Sequence, residues 1–361
     1  MTIIHEWLNN RKIKKLREKI ETLPLAKVLT KALTSVVILS MNRTKDIQNC
    51  IESLYESTSL PFEVIIFDNG STDKSTLEFL KSINGKTKKD GNGKIKVIFN
   101  KINLGCSGGR KQALKHAKGK YIATIDNDII FTKNWLEHLI KGVESENKIA
   151  AVCAKLIYPD GRIQLNGGKM LVEGNYFAYF KTVQGSKMRD EKGMNWDNPK
   201  SNKKITCDWL PGGAMLMKKT AANKVEHDNK FKNCFEDYDY SIQIRKKGYK
   251  LVNCPQSILI HNHILLRPHT QAKEKCYLKD RWSYHTYFDS LLYFLQKNGL
   301  NLVKDSIFYD SNAHKDILAS KNLPIPEKKY KELSDKEIKE NFRKILSKAE
   351  EAHPLSLQAS R

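Results

Sequence analysis

Four short β-branched runs constrain this chain more than any other feature, because each is followed at once by a polar cluster and then by a helix-like segment. The runs cover residues 35–40, 62–67, 95–99 and 121–125. The first leads into Met41-Asn42-Arg43 and the second into Asp68-Asn69-Gly70-Ser71-Thr72-Asp73. The third leads into Asn100 and then the stretch 103–110, and the fourth into Asp126-Asn127-Asp128. Apolar spacing predicts helices over about 44–57, 73–82 and 107–118. Strands alternating with helices imply right-handed βαβ units and a mostly parallel sheet, which is an α/β class. The carboxyl ends of parallel strands share one edge, and open α/β sheets bind ligands there. Four polar ends on one edge point to a site, where one would be an ordinary turn.

The second half is less regular. Residues 149–158 read as a strand, and 162–204 as hairpins and loops. A strand pair is expected within 206–218, around Pro211-Gly212-Gly213. A helix is expected over 236–247, stopped at Gly248 by a left-handed cap, and a strand over 249–260. After Cys276 the chain reads helical, with an aromatic stretch over 282–294 and a charged helix over about 324–352. At the other end, Ile13, Leu16, Ile20 and Leu23 fall near helical spacing among Lys12, Lys14, Lys15, Arg17 and Lys19, and Pro24 breaks the segment. Such a helix can lie on an anionic membrane surface or pack on its own domain. The expected organisation is a basic amphipathic extension over 1–33, a central domain over 34–265 and a helical C-terminal extension over 266–361.

A chain of 361 residues with 40% hydrophobic content can bury a sizeable core. Its 63 basic against 40 acidic residues, a net charge of +23, favour anionic partners: nucleic acid, anionic membrane or a phosphorylated small molecule. Seven cysteines without a CxxC pair argue for reduced thiols rather than a disulfide framework or zinc knuckle. No run of eighteen uncharged apolar residues occurs, and the first residues lack a secretory pattern, so a cytoplasmic protein is expected.

The chemistry collects at the run ends. In Asp126-Asn127-Asp128, two carboxylates flank one residue after a β-run, so both can approach one hard cation such as Mg²⁺ or Mn²⁺. The stretch Gly105–Arg110 can set backbone N–H groups near phosphates, with Arg110 as charge partner. It is neither GxxxxGK[ST] nor GxGxxG, so a P-loop or dinucleotide fold gains no support. Phe235-Glu236-Asp237-Tyr238-Asp239 opens a helix with three acids. These suit the helix dipole, and one withdrawn from water can also act as general base. His261-Asn262-His263 closes a strand with two imidazoles at alternate positions, either structural or metal-binding.

Taken in order, the pieces SVVILSMNR, EVIIFDNGSTD, NLGCSGGRKQAL, GKYIATIDNDI, CDWLPGGAMLMKK, FEDYDYSIQIRKKGYKL and ILIHNH resemble the inverting family-2 glycosyltransferases of GT-A fold. The rhamnosyltransferase-like branch that builds surface polysaccharides is the nearest in appearance. The resemblance covers about residues 35–263. It implies a Rossmann-like nucleotide-binding sheet flanked by helices, a nucleoside-diphosphate-sugar donor and a divalent metal, Mn²⁺ or Mg²⁺. Position by position it implies nucleotide-sugar contacts at Asn42, Arg43, Asp68, Arg110 and Asp126, and a donor-sugar loop at Gly212 and Gly213 with Trp209 beside it. It implies metal ligands at Asp126, Asp128 and His261, with His263 as substitute. The catalytic base is implied at Asp237, with Glu236 as a second candidate. Lys111 stands where family members often carry Asn, and no processive QxxRW motif occurs, so transfer of one sugar is implied.

The acceptor is left open among a lipid-linked sugar, a glycan and a peptide. Peripheral contact with the inner face of an anionic membrane is a further expectation, and nucleic acid is not expected as a partner. The rival readings are a nucleotidyltransferase making a nucleotide-sugar and a basic nucleic-acid-binding protein. The first lacks a GGxGTR-like loop after the first run. The second conflicts with the acidic clusters at the run ends.

Overall fold

A computed structural model describes residues 2–24, 28, 30–88, 90–173, 176–182, 194–262, 290, 293–299 and 301–302. The chain divides into two compact units, Met1–Lys169 with Thr182–Lys275, and Met170–Lys181 with Cys276–Arg361.

The first unit is built on the predicted alternation: β1 (Thr34–Ser40), α2 (Thr44–Ser57), β2 (Phe62–Asn69), α3 (Lys74–Ile83), β3 (Lys94–Asn100), α4 (Gly105–Leu114) and β4 (Tyr121–Asp126), preceded by α1 (Thr2–Ile20). Strands β1, β2 and β4 are β-branched and buried on both faces, as parallel strands under helices must be, with Val36, Ile38, Val64 and Ile66 wholly buried. Edge strand β3 instead alternates buried Ile95 and Val97 with exposed Lys94, Lys96 and Phe99. Then follow β5 (Ile129–Phe131), α5 (Trp135–Glu144), β6 (Ile149–Ile157), β7 (Ile163–Leu165), β8 (Gly168–Glu173) and β9 (Tyr176–Thr182). The remaining elements are β10 (Thr206–Cys207), β11 (Ala214–Lys218), α6 (Lys219–Ala222), α7 (Glu236–Lys246), β12 (Lys250–His261) and β13 (Asn301–Leu302).

Ten strands form one sheet in the order β10-β12-β6-β11-β4-β1-β2-β3, with β5 on β12 and β7 on β6. Strands β4, β1, β2 and β3 run parallel, as do β6 and β12, and β11 enters between β4 and β6 antiparallel to both. The segment 206–218 therefore holds two strands that do not pair with each other: β10 pairs β12, and β11 pairs β4 and β6. The Pro211-Gly212-Gly213 turn joins distant strands and is not a hairpin tip. A separate three-stranded sheet places β9 between β8 and β13. His263, Cys276 and the charged helix expected over 324–352 lie outside the described residues.

The N-terminal helix packs on its own unit. Ile13 and Ile20 join Ile130, Ile157, Ile163, Trp196, Ile258 and Ile260 in one buried cluster, and Leu16 packs against it. Arg17 fastens the helix laterally, donating to Glu56 at 2.6 Å and to the Ser57 hydroxyl at 2.7 Å. The apolar stripe that could have met lipid thus faces protein. Leu23, beyond the helix, stays 38% exposed.

Truncating a buried isoleucine removes its transfer free energy and leaves a cavity, so Ile20→Ala should destabilise this unit by about 2–4 kcal/mol. Urea denaturation followed by circular dichroism measures it. A loss within experimental error would mean that α1 is not docked in solution.

Candidate active site

The register of the sheet gathers the site before any side chain is considered. Ser40 pairs with Asp68, Asn69 with Asn100, and Leu39 with Asp126, so the ends of β1 to β4 lie side by side. Antiparallel β11 brings its start to the same edge, with Ala214 beside Ile125. The end of β12 arrives through β5, where His261 pairs with Ile129.

Arg110 is the centre of the charge pattern. It projects from α4, is 4% exposed, and meets three carboxylates: Asp126 at 3.0 Å, Asp237 at 3.1 Å and Glu236 at 3.7 Å. Burial opposes its charge, but the Asp237 and Asp126 carboxylates outweigh that, and its pKa is raised. A guanidinium offers fixed, divergent N–H donors: Nη2 serves Asp126 and Nη1 serves Asp237. The Gly212-Gly213 turn presses its backbone on this layer. A Cβ at Gly212 would collide with Asp237 and Arg110, and one at Gly213 with the Asp126 carboxylate. The Asp126 amide also donates to the Gly213 carbonyl at 3.1 Å. Beside the turn, Trp209 is buried edge-to-face on Tyr238, with ring centroids 4.7 Å apart, and its indole N–H donates to the Lys169 carbonyl at 3.3 Å.

The second centre is Asp128, which is buried. Its Oδ1 lies 3.0 Å from His261 Nε2 and its Oδ2 3.2 Å from Arg43 Nη1. Burial works against a charged His261, but the Asp128 carboxylate more than compensates, and the imidazole pKa is raised. Asp126, Asp128 and His261 each offer one ligand atom, all within 4.8 Å of one another. Two carboxylate oxygens and one imidazole nitrogen suit Mn²⁺ or Mg²⁺, so the donor set fits the expected metal.

Asn42 and Asp68 brace the neighbouring loop. Asn42 Oδ1 accepts the amides of Thr72 and Asp73 at 2.9 and 3.0 Å, and Asp68 accepts from the Ser71 amide and hydroxyl. Burial raises the Asp68 pKa against the Ser71 hydrogen bonds. Asn42 and Arg43 both adopt left-handed backbone, φ 56° and 61°, which turns the chain sharply out of β1.

The glycine-rich stretch differs from its expected use. The Cys106 amide donates to the Lys232 carbonyl at 2.6 Å, and the Ser107 amide points to the same oxygen at 3.4 Å. Gly105, at φ 72°, has no room for a Cβ against that carbonyl. These amides are engaged by a protein loop, so what α4 contributes to the site is the Arg110 side chain.

On α7, Glu236 is buried and Asp237 reaches the Arg110 layer with its side chain 26% exposed. Asp239 is buried and accepts from Gln243 at 2.7 Å, one turn along the helix. Three further residues enter the site without having been singled out from the sequence. Asp46, one turn into α2, accepts from Arg43 Nε at 2.7 Å. Asn262 donates its amide to the Asp128 carbonyl at 2.8 Å. Gln164 Oε1 lies 2.7 Å from His261 Nδ1. Of these, only Asp46 had a signal in the sequence, three residues after Arg43 on a predicted helix.

This sheet and its edge define a GT-A fold. The fold is shared with the crystal structure of GalNAc-T7 with UDP, GalNAc and Mn²⁺, at TM-score 0.51 and 16% identity over 82% of this chain and 59% of that one. Residues 35–210 match the model of the family described as Glycosyl transferase family 2. An uncharacterized glycosyltransferase of Methanocaldococcus jannaschii is 26% identical over 275 residues, covering 74% of this chain and 85% of the relative. An uncharacterized protein of Sinorhizobium fredii is 24% identical over 280 residues, or 71% of this chain. The chain spans 28% of that protein's length.

Removing the cation shared by these three carboxylates leaves the buried Glu236 unpaired and the half-buried Asp126 and Asp237 without their counter-charge. Arg110→Met should therefore destabilise the first unit by about 3–5 kcal/mol, read as a loss in urea denaturation. A change below about 1 kcal/mol would show that water compensates these carboxylates instead.

Proposed function

We propose that this chain is a glycosyltransferase that moves one sugar from a nucleoside-diphosphate-sugar to an acceptor hydroxyl with inversion, in surface polysaccharide or glycoconjugate synthesis. The observation that carries this reading is the single guanidinium of Arg110 joining Asp126, one of the metal-competent triad, to Asp237, on a family 2 domain. One carboxylate faces the donor's leaving group and the other faces the attacking hydroxyl, held in one rigid layer.

In the proposed step the acceptor oxygen forms a bond to the anomeric carbon from the face opposite the diphosphate. The carbon–oxygen bond to the diphosphate breaks and its electron pair leaves with the nucleoside diphosphate. Asp237 takes the acceptor proton; its partial exposure leaves it reachable by a hydroxyl. Glu236, buried beside it, meets the same Nη1 of Arg110 at 3.7 Å. Asp126, Asp128 and His261 would hold Mn²⁺ or Mg²⁺, which when bound neutralises charge developing on the diphosphate. Arg43, in contact with Asp128, adds positive charge at the same edge. Asn42 and Asp68 shape the loop that would receive the nucleoside, and Gly212, Gly213 and Trp209 line the turn proposed to lie under the donor sugar.

Asp237→Asn keeps the side-chain shape and removes the proton acceptor. It should lower kcat for transfer by about 10²-fold or more while leaving donor KM within a few-fold. The assay follows nucleoside diphosphate release from a panel of nucleotide-sugars with Mn²⁺. Pyrophosphate as the product would instead identify a nucleotidyltransferase. Near-normal turnover in the variant would remove Asp237 from the base role.

We also propose peripheral contact with anionic membrane, made by charge alone. Ile13 and Ile20 face protein, whereas Arg11, Lys12, Lys14 and Lys15 are exposed. Contact of this kind is screened within about 10 Å at 0.1 M salt. Replacing Lys12, Lys14 and Lys15 with Glu should reduce sedimentation with phosphatidylserine vesicles at low salt. Unchanged sedimentation would remove α1 from the contact.

A further inference from the structure

We propose that Gln164 is the positioning residue of the Asp126–Asp128–His261 cluster, locking the His261 ring so that Nε2 presents its lone pair to a metal held by the two aspartates. The inference rests on the metal reading above and assigns a role to a residue outside every motif.

Gln164 is the middle residue of β7, a three-residue strand on β6 that is fixed by the pairs Leu156–Leu165 and Ile157–Ile163. Its Oε1 lies 2.7 Å from His261 Nδ1. The Tyr158 hydroxyl, on a ring only 2% exposed, hydrogen-bonds the same side chain. The carbonyl oxygen of Gln164 faces His261. A carbonyl oxygen can only accept, so Nδ1 carries the hydrogen. With Nδ1–H held by Gln164, the second ring nitrogen, Nε2, faces the cluster, and a metal bound there would take the place of the proton that Nε2 shares with Asp128. That nitrogen is the one 3.0 Å from Asp128 Oδ1.

Tyr158, Gln164, His261 and Asp128 thus form a chain of contacts from the end of β6 to the centre of the cluster. A ligating histidine whose other nitrogen donates to a fixed acceptor is oriented and made more basic, and loss of such partners lowers metal affinity by about 10–100-fold. A glutamine serving only β7 would have no effect on metal binding.

Mn²⁺ titration of the full chain, followed by electron paramagnetic resonance of the free ion, tests this without reference to turnover. The unaltered chain should bind Mn²⁺, and His261→Ala should bind it poorly. Gln164→Met keeps the volume and removes both hydrogen-bonding groups, and should weaken binding by about 10-fold or more. Gln164→Glu retains an acceptor for Nδ1–H and should keep the unaltered affinity or improve it. If Gln164→Met does not fold, as judged by circular dichroism, the glutamate variant decides alone, and weaker Mn²⁺ binding by it overturns the proposal. Equal affinity of Gln164→Met and the unaltered chain overturns the role of Gln164 and leaves the metal reading standing. No Mn²⁺ binding by the unaltered chain overturns both.

Discussion

The burial of Arg110 is the constraint from which the rest of the site follows. A guanidinium out of water must be paired, and each carboxylate that pairs it must in turn be held in place. Three elements are thereby tied together: α4, which carries the arginine, the end of β4, which carries Asp126, and the start of α7, which carries Glu236 and Asp237. The tie leaves no space for a side chain at Gly212 or Gly213, so the turn into β11 can only be made of glycine. It also explains how α4 begins. The Lys232 carbonyl receives the Cys106 amide, anchoring the loop before α7 to the helix that bears Arg110. The buried His227 is stacked on Tyr240 with ring centroids 4.1 Å apart, and its pKa falls to about 3, first by burial and then by the Arg110 charge. Even the packing behind the site answers to this one cation.

The parallel half of the fold was legible in the sequence because two periods alternate there without interruption. Helix α2 was expected over 44–57 and spans Thr44–Ser57, and each of β1 to β4 falls within two residues of its expected bounds. The same reading missed α5, Trp135–Glu144. Its buried Trp135, Leu136, Leu139, Ile140 and Val143 alternate with Glu137, His138, Lys141 and Glu144 at helical spacing, so the period was present, but the helix is short and lies between two apolar strands. Strands β10 and β11 were recognised but given the wrong partners, since pairing across a sheet is a long-range choice that a turn sequence does not encode. At the site, the aspartates and the histidine were legible as clusters at run ends. Gln164 was not, because a lone polar residue in a three-residue strand has nothing beside it in sequence to mark it. The basic helix α1 was legible as an amphipath with two uses open, contact with an anionic membrane or packing on its own domain. Only the tertiary cluster around Ile13 and Ile20 shows what its apolar side meets.

A chain with a net charge of +23 that concentrates acid at one sheet edge sets an electrostatic problem. Asp46, Asp126, Asp128, Glu236 and Asp237 meet there with two guanidiniums, Arg43 and Arg110. Both guanidiniums are committed to carboxylates, and the Asp128 carboxylate raises the His261 pKa against the effect of burial. A diphosphate brought to this edge would face surplus negative charge, and the basic exterior could steer it in without holding it there. The donor set of Asp126, Asp128 and His261 resolves the conflict if a divalent cation completes it, turning an edge that repels phosphate into one that binds it. On this view the acidic edge and the basic surface are two parts of one device. In the proposed function, the basic surface would gather anions and the edge would accept a diphosphate together with a metal. Arg110 belongs to the same logic. By drawing on Asp126 and Asp237 together, it keeps the carboxylate that would share the metal and the carboxylate that would receive the proton at a fixed separation. In the proposed reaction, leaving-group stabilisation on the donor and proton removal from the acceptor would then be held in one fixed geometry.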